Sequence, residues 1–147
     1  MPNFKNIIRI NALLIPVLLM LYGSCSNQDN PLSSNTLLFD DTLLVNYQDT
    51  LFNHQENIWV TFDSLVEDSR CQIGTICKWS GNARVSFVIA KDTSCATVEL
   101  NTYSEFTSDT ALFGYSISLL DVLPYPHIDS LYSVKDYSAK ILLKNRE

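Results

Sequence analysis

The sequence is poor in histidine and lacks the short motifs that position a catalytic group. Its two histidines, His54 and His127, are far apart in the chain and lie in segments that predict loops. Neither belongs to a Gly-x-Ser-x-Gly nucleophile motif or to a His-Glu-x-x-His zinc motif. Serine, histidine and aspartate occur together in nearly every chain, so their presence alone indicates no triad. We therefore expect a protein that is not an enzyme and holds no cofactor, with a small hydrolase as the weakest alternative.

Residues at metal-ligand spacing are also scarce. A single Cys-x5-Cys with two distant histidines is a poor match to the four ligands of a structural zinc site. The paired acids Asp40-Asp41 and Glu67-Asp68 do not lie in a loop that offers the roughly six or more oxygens that calcium takes. Solvated loop charges explain these acids more simply, and we expect no metal site.

Positive charge is in short supply. The chain has ten Lys and Arg residues against sixteen Asp and Glu residues, which gives a net charge of −6. Removal of residues 1–24, argued below, takes away two basic residues and leaves 8 − 16 = −8. An acidic surface disfavours nucleic acid and anionic lipid headgroups as partners. Solubility alone is the simpler explanation of the acidity.

No hydrophobic run in the sequence is long enough to cross a membrane as a helix. The longest apolar stretch covers residues 10–22 and is interrupted by Asn11 and Pro16, whereas a spanning helix needs roughly 20 apolar residues. Lys5 and Arg9 precede this stretch, and small residues follow it. That order is typical of a secretory signal peptide.

The apolar stretch ends in Gly23-Ser24-Cys25. Two small residues before a cysteine resemble a lipobox, the site where signal peptidase II cuts and the cysteine is acylated, although Tyr22 departs from the usual small or aliphatic residue. We expect a lipoprotein signal peptide over residues 1–24, a membrane anchor on lipidated Cys25, and a flexible polar tether over residues 25–36. Ordinary secretion with an unmodified Cys25 is the alternative. Ser26, rather than Asp, favours the outer membrane of a bacterial cell envelope by the enterobacterial sorting rule, and leaves the membrane face open.

Three cysteines remain if Cys25 carries lipid. Cys71 and Cys77 are the natural disulfide pair, because they lie six residues apart in one predicted loop of an exported chain. Closing a loop of this length contributes roughly 2.4 kcal/mol in the chain-entropy model. Cys95 is then expected to be a buried free thiol.

Five segments alternate apolar and polar side chains with a period of two, which is typical of strands with one buried face. They begin near Ile58, Val85, Ala96, Phe113 and Tyr137, and shorter apolar segments lie at residues 43–47 and 51–52. Seven strands without a convincing amphipathic helix predict an all-β domain over residues 37–147, either a single antiparallel β-sandwich or a small barrel. The predicted core comprises Ile58, Val60, Phe62, Val85, Phe87, Ile117 and Leu119.

The densest unusual chemistry follows the first long strand. Asp68-Ser69-Arg70-Cys71 is followed by Cys77, Trp79 and Gly81, and then by a strand from Arg84. This pattern resembles a family of small uncharacterised bacterial lipoproteins, and the later Leu123-Pro124-Tyr125-Pro126 fits the same family. The resemblance covers about residues 43–143 and implies no known activity. Family members usually carry Pro after the first cysteine, so Gln72 in this chain predicts a less rigid loop.

Two interpretations of this motif are open. In the architectural one, which we favour, Asp68 accepts from Arg70 or from loop amides, Trp79 plugs the core beside the disulfide, and Gly81 has a positive φ or packs closely. In the functional one, Asp68, Arg70 and Trp79, with Tyr125 in a later loop, form a recognition patch.

The sequence favours a lipid-anchored interaction module of the cell envelope. Its partner would be an unknown envelope protein or a glycan, besides the membrane that holds the lipid. The alternative is an inhibitor of a secreted or envelope enzyme such as a protease, in which a rigid β-sandwich presents loops to the enzyme's cleft.

Overall fold

A computed structural model of the chain describes residues 36–146, which form an all-β domain. Its strands are β1 (Thr42–Asn46), β2 (Thr50–Asn53), β3 (Ile58–Asp68), β4 (Ala83–Lys91), β5 (Ser94–Asn101), β6 (Asp109–Leu112), β7 (Tyr115–Leu123) and β8 (Ser138–Asn145). A single 3₁₀ turn at Val134–Asp136 precedes β8. The predicted signal peptide, Cys25 and the tether as far as residue 35 lie outside the described residues. No helix within residues 36–146 has the length and apolar character needed to span a membrane.

The strands form two antiparallel sheets of four. The first sheet has the order β2-β3-β4-β5 and the second has the order β1-β8-β7-β6. The sheets pack as a sandwich and do not close into a barrel, so the β-sandwich prediction is confirmed and the small barrel is not. All seven residues predicted for the core are at most 4% exposed, because the alternating side chains of both sheets face each other.

The prediction of seven strands missed one strand and misplaced a turn. Residues 113–119 were expected to form one strand, but Phe113 and Gly114 form the turn between β6 and β7, with φ of 53° and 84°. Phe113 still packs against the core from this turn, so apolar alternation continues where the backbone reverses. The four residues of β6, Asp-Thr-Ala-Leu, do not alternate apolar and polar types in the sequence, and the pairing with β7 defines the strand.

The two ends of the sandwich are distinct. At one end, which we call the proximal end, the described chain begins: Thr36 bridges Phe52, and the Leu37 amide donates to the Phe52 carbonyl at 2.9 Å. The turns from β2 to β3 and from β4 to β5 lie at this end. At the opposite, distal end lie the connections 69–82, 102–108 and 124–137. The motif that stands out in the sequence is therefore at the distal end.

Candidate functional site

Arg70 links the two sheets at the distal end. It follows β3, and its side chain is only 3% exposed. Its Nε donates to Asp68 Oδ1 and its Nη2 donates to Asp68 Oδ2, each at 2.8 Å, the two-pronged contact that guanidinium and carboxylate groups favour. On the other side, Nη1 donates to the Val122 carbonyl and Nη2 donates to the Pro124 carbonyl at 3.0 Å. The end of β3 in the first sheet is thereby joined to the end of β7 in the second.

Two tyrosines complete this cluster. The Tyr137 hydroxyl donates to Asp68 Oδ2 at 3.2 Å, and the Tyr125 ring lies 4.7 Å from the Arg70 guanidinium carbon. Burial raises the pKa of Tyr137, and the negative charge of Asp68 raises it further. The predicted Asp68–Arg70 contact is confirmed. Arg70 and Tyr137 donate to groups inside the protein, and Asp68 accepts from both. Asp68 and Arg70 therefore stabilise the fold where β3 ends.

The Cys71–Cys77 disulfide is present, as predicted. The loop that it closes is tied to the connection between β7 and β8: the Ile73 amide donates to the Pro126 carbonyl at 2.9 Å, and the Ile128 amide donates to the Ile73 carbonyl at 3.1 Å. The position of the loop is therefore fixed by hydrogen bonds to the β7–β8 connection as well as by the disulfide.

Gly81 marks a close approach of two backbone segments. Its φ is +78°, and a Cβ at this position would lie 2.0 Å from the Ser69 carbonyl oxygen. A side chain is excluded by both the φ value and the contact. The positive φ and close packing expected for Gly81 are confirmed.

The predictions for Trp79, at the distal end, and Cys95, near the start of β5 at the proximal end, are wrong. Trp79 does not plug the core: it is 51% exposed, because it lies in the connection before β4, whose first core side chain is Ala83. Cys95 is not a buried free thiol: it is exposed, and none of the cysteines within residues 36–146 is free. Cys95 pairs with Ala90, one position away from the Ile89–Ala96 pair that faces the core, so its side chain lies on the outer face.

The exposed face of Trp79 lines an open cleft of about 650 Å³ at the distal end of the first sheet. Phe106, from the connection between β5 and β6, is 49% exposed and lines the cleft too. Tyr103 packs edge-on against both rings, with centroids at 5.7 Å from Trp79 and 5.4 Å from Phe106. We call this the aromatic cleft.

Charged side chains of three neighbouring strands lie in the same cleft. Arg84 Nη1 lies 3.4 Å from a Glu99 oxygen, and Arg84 Nη2 lies 3.8 Å from a Glu67 oxygen. Glu105 adds a third carboxylate. Arg84 Nε is buried and has no hydrogen-bond partner within the described part of the chain, a costly arrangement that is uncommon in folded proteins.

Two buried asparagines hold the loops that frame the cleft. Asn82 Nδ2 donates to Asn101 Oδ1 at 2.8 Å, and Asn101 Nδ2 donates to the Thr107 carbonyl at 3.0 Å. Asn82 Oδ1 accepts from the Tyr103 amide at 3.1 Å. The sequence does not predict the cleft: among its lining residues, the sequence indicates Trp79 as part of a recognition patch and Glu67 only as a rejected calcium ligand. Its one local signal was a pair of aromatic residues, Tyr103 and Phe106, in a stretch rich in turn-forming residues.

The histidines are not brought together. His54 lies in the turn after β2 at the proximal end, where its ring contacts Phe52. His127 lies at the distal end, with Nδ1 3.9 Å from an Asp129 oxygen. Within residues 36–146, no group of three or more His, Cys, Asp or Glu side chains is arranged to hold a metal ion.

Comparisons with protein-family models, with curated proteins and with solved structures give no match. Functional inference for this chain therefore depends on the geometry of its own residues.

Proposed function

We propose that the protein is a non-catalytic binding module that is held to the bacterial cell envelope by a lipid on Cys25. It recognises its partner with the distal end of the sandwich. The observation that carries this proposal is that the described domain starts at the proximal end, at Thr36, while the aromatic cleft lies at the distal end. A membrane anchor on the N-terminal side directs the cleft away from the membrane.

The polar residues 26–35 supply the separation that this arrangement needs. Ten residues span at most roughly 33–36 Å when extended, which lets the proximal end stand clear of the lipid headgroups. The acidic domain favours the same orientation, because anionic headgroups repel it.

The composition of the distal end supports binding. Exposed Trp79 and Phe106 beside Arg84 match the residue types that are enriched in protein interfaces. The aromatic cleft, at about 650 Å³, is larger than a concavity of about 420 Å³ around the β6–β7 turn, which is lined by Phe113, Gly114 and Arg146 among others. Among Asp68, Arg70 and Trp79, the Trp79 side chain is the most accessible to a partner, at 51% exposure. The Asp68 and Arg70 side chains are buried and bind each other.

The anchor is tested by mass spectrometry of the mature N-terminus of the full chain produced in a bacterial host. We expect a diacylated or triacylated Cys25 as the first residue, and loss of both processing and detergent-phase partition in Cys25→Ala. Ser24→Ala, which keeps a small residue before the cysteine, is the control and should be processed normally. A cut elsewhere would contradict the anchor. So would a Cys25–Cys95 disulfide, because the sulfur of a lipidated cysteine is a thioether.

Recognition by the distal end is tested by photo-crosslinking in intact cells with the anchor kept. A photoreactive residue at position 106 samples the distal end, and one at exposed Gln55 samples the proximal end. We expect an envelope component, protein or glycan, to be attached from position 106 and absent from position 55. Equal adducts from both positions, or none from position 106, would contradict the proposal.

Inhibition of an envelope or secreted protease is the second candidate, and one observation favours it. Ile76 is fully exposed in the disulfide-closed loop, which two backbone hydrogen bonds fix to the neighbouring connection. A rigid loop with a projecting apolar side chain has the shape that protease clefts accept. Inhibition of a panel of secreted proteases that is lost in Ile76→Glu and kept in Leu131→Glu would support it. Leu131 is equally exposed and lies outside the loop, and loss of inhibition in both variants would contradict a role for the loop.

A further inference from the structure

The two half-exposed rings of the aromatic cleft are held by a third ring. Tyr103 lies against both Trp79 and Phe106 at interplanar angles of 86° and 65°. The buried Asn82–Asn101 hydrogen bond fixes the backbone on both sides of the cleft. The aromatic surfaces are therefore set in place before a ligand arrives, which lowers the entropic cost of binding.

The charge of the cleft is negative. Glu67, Glu99 and Glu105 contribute three carboxylates against the single guanidinium of Arg84, a balance of 1 − 3 = −2. The side chains of Glu67 and Glu99 are 46% and 49% exposed, so they remain accessible to a ligand. The faces of the aromatic rings also carry negative potential from their quadrupoles. Charges and rings both favour a cation.

The hydrogen-bonding groups of the cleft point to the same chemistry. The amides of Asn82 and Asn101 are used within the protein. Arg84 faces two glutamates, and its Nε is buried. The accessible charged groups are thus three carboxylates, whose oxygens only accept hydrogen bonds, and one guanidinium, that of Arg84, which lies between Glu67 and Glu99. Lysine and arginine side chains only donate, and they match such a set better than a neutral glycan, whose hydroxyls also need donors.

The shape of the cleft favours a chain over an enclosed small molecule. Its volume of about 650 Å³ is open to solvent along the outer face of the first sheet. We propose that the aromatic cleft binds a basic segment of a protein partner, with a lysine or arginine side chain of that segment against Trp79 and Phe106. This inference rests on the binding function proposed above and names the chemistry of its partner.

The test is isothermal titration calorimetry of the full lipidated protein in non-ionic detergent. The probes are an unstructured Arg- and Lys-rich peptide, its Glu-rich counterpart, free arginine and a soluble cell-wall glycan fragment. We expect binding of the basic peptide only, with an affinity that falls as salt rises. Trp79→Ala should weaken it roughly 2- to 30-fold, the range of a cation–π contact, and Glu99→Gln should weaken it and reduce its salt dependence.

Trp59→Ala is the matched control. Trp59 belongs to the same sheet but stacks on Phe52 at the proximal end, so its loss should leave peptide affinity unchanged. Equal weakening in both tryptophan variants would overturn the assignment to the cleft. Binding of free arginine as tight as that of the peptide would overturn the polypeptide partner, and preferential binding of the glycan would overturn the cation.

Failure of this inference is distinguishable from failure of the proposed function. If the basic peptide does not bind while crosslinks from position 106 still form, the binding module stands and the basic partner is wrong. If neither is observed, both are wrong.

Discussion

Asp68 and Arg70 form a two-pronged ion pair with two N–O distances of 2.8 Å, and side-chain exposures of 8% and 3%. The pair lies where the last residue of β3 meets the connection to β4. Through Arg70 it reaches the carbonyls that end β7. An ion pair between residues two apart in sequence thereby joins two different sheets. Its removal should lower the free energy of unfolding of the whole domain.

Arg70→Ala should lower the free energy of unfolding by about 3–5 kcal/mol, because it leaves the Asp68 carboxylate buried without its partner. Urea unfolding followed by circular dichroism measures this loss. Arg84→Ala is the control: Arg84 is 40% exposed between two glutamates, and its ion pairs are worth about 1 kcal/mol or less. If the two variants lost similar amounts of unfolding free energy, the buried Arg70 pair would contribute no more to stability than the exposed Arg84 pairs.

The double variant Cys71→Ser, Cys77→Ser should have an unfolding free energy about 2–3 kcal/mol below that of the disulfide-bonded wild type. Without the disulfide, the unfolded chain gains conformational entropy, because the seven-residue loop is no longer closed. Gln72→Ala changes the same loop without touching the disulfide and should remain within about 0.5 kcal/mol of the wild type. An unchanged midpoint in the double variant would mean that the hydrogen bonds to Pro126 and Ile128 hold the loop unaided.

Trp79→Ala should lower the free energy of unfolding by only about 1–2 kcal/mol, because it removes the edge-on contact with Tyr103 and the burial of half the ring. A core tryptophan would cost about 3–5 kcal/mol, and Phe62→Ala, which empties a fully buried site, should reach that range. Thermal and urea unfolding of the two variants give the comparison. A loss for Trp79→Ala as large as that for Phe62→Ala would contradict the exposure of Trp79.

Tyr137 should make the domain less stable at alkaline pH. Its folded-state pKa is raised above 10.0 by burial and by Asp68, so above about pH 10 the unfolded state loses this proton first and the folded state becomes relatively less stable. Stability is complete below pH 10 and falls as pH rises towards the folded-state pKa. Tyr137→Phe should remove this part of the fall while costing about 1 kcal/mol at neutral pH for the lost hydrogen bond.

The control for Tyr137→Phe is Tyr125→Phe, which removes a hydroxyl nearby and keeps the ring over Arg70. Its pH profile of unfolding between about pH 8 and pH 11 should follow the wild type. Identical profiles for all three proteins would contradict a raised pKa of Tyr137 in the folded state.

Local sequence patterns were sufficient to predict which side chains of a strand face the core. Ile58, Val60 and Phe62 could be assigned to the core from alternation alone, because successive side chains of a strand point to opposite faces whatever the sheet order is. The Cys71–Cys77 pair and the Asp68–Arg70 contact were also predictable, since their partners are separated by only a few residues. Phe113 was misassigned for a related reason: a turn that keeps its apolar residue against the core leaves the alternation unbroken.

Exposure of side chains in the long connections was not predictable. Trp79 has the size and polarity of a core residue, but it precedes Ala83, where the buried face of β4 begins, and it is 51% exposed. The aromatic cleft takes Glu67 from β3, Trp79 from one connection, Glu99 from β5 and Phe106 from another. No window of sequence contains these residues together, so no local pattern could indicate them.

The sequence by itself determined an acidic all-β domain, its alternating core positions and the closed Cys71–Cys77 loop, because each depends on composition or on neighbours within a few residues. Its first 25 residues also contain the signals from which the lipid anchor is proposed. Only the tertiary structure decided that Arg70 joins the two sheets, that Trp79 faces solvent, and that residue 36, where the described domain starts, lies at the end opposite the aromatic cleft. These features depend on which strands become neighbours, a choice made by the burial of both sheets' apolar faces against each other.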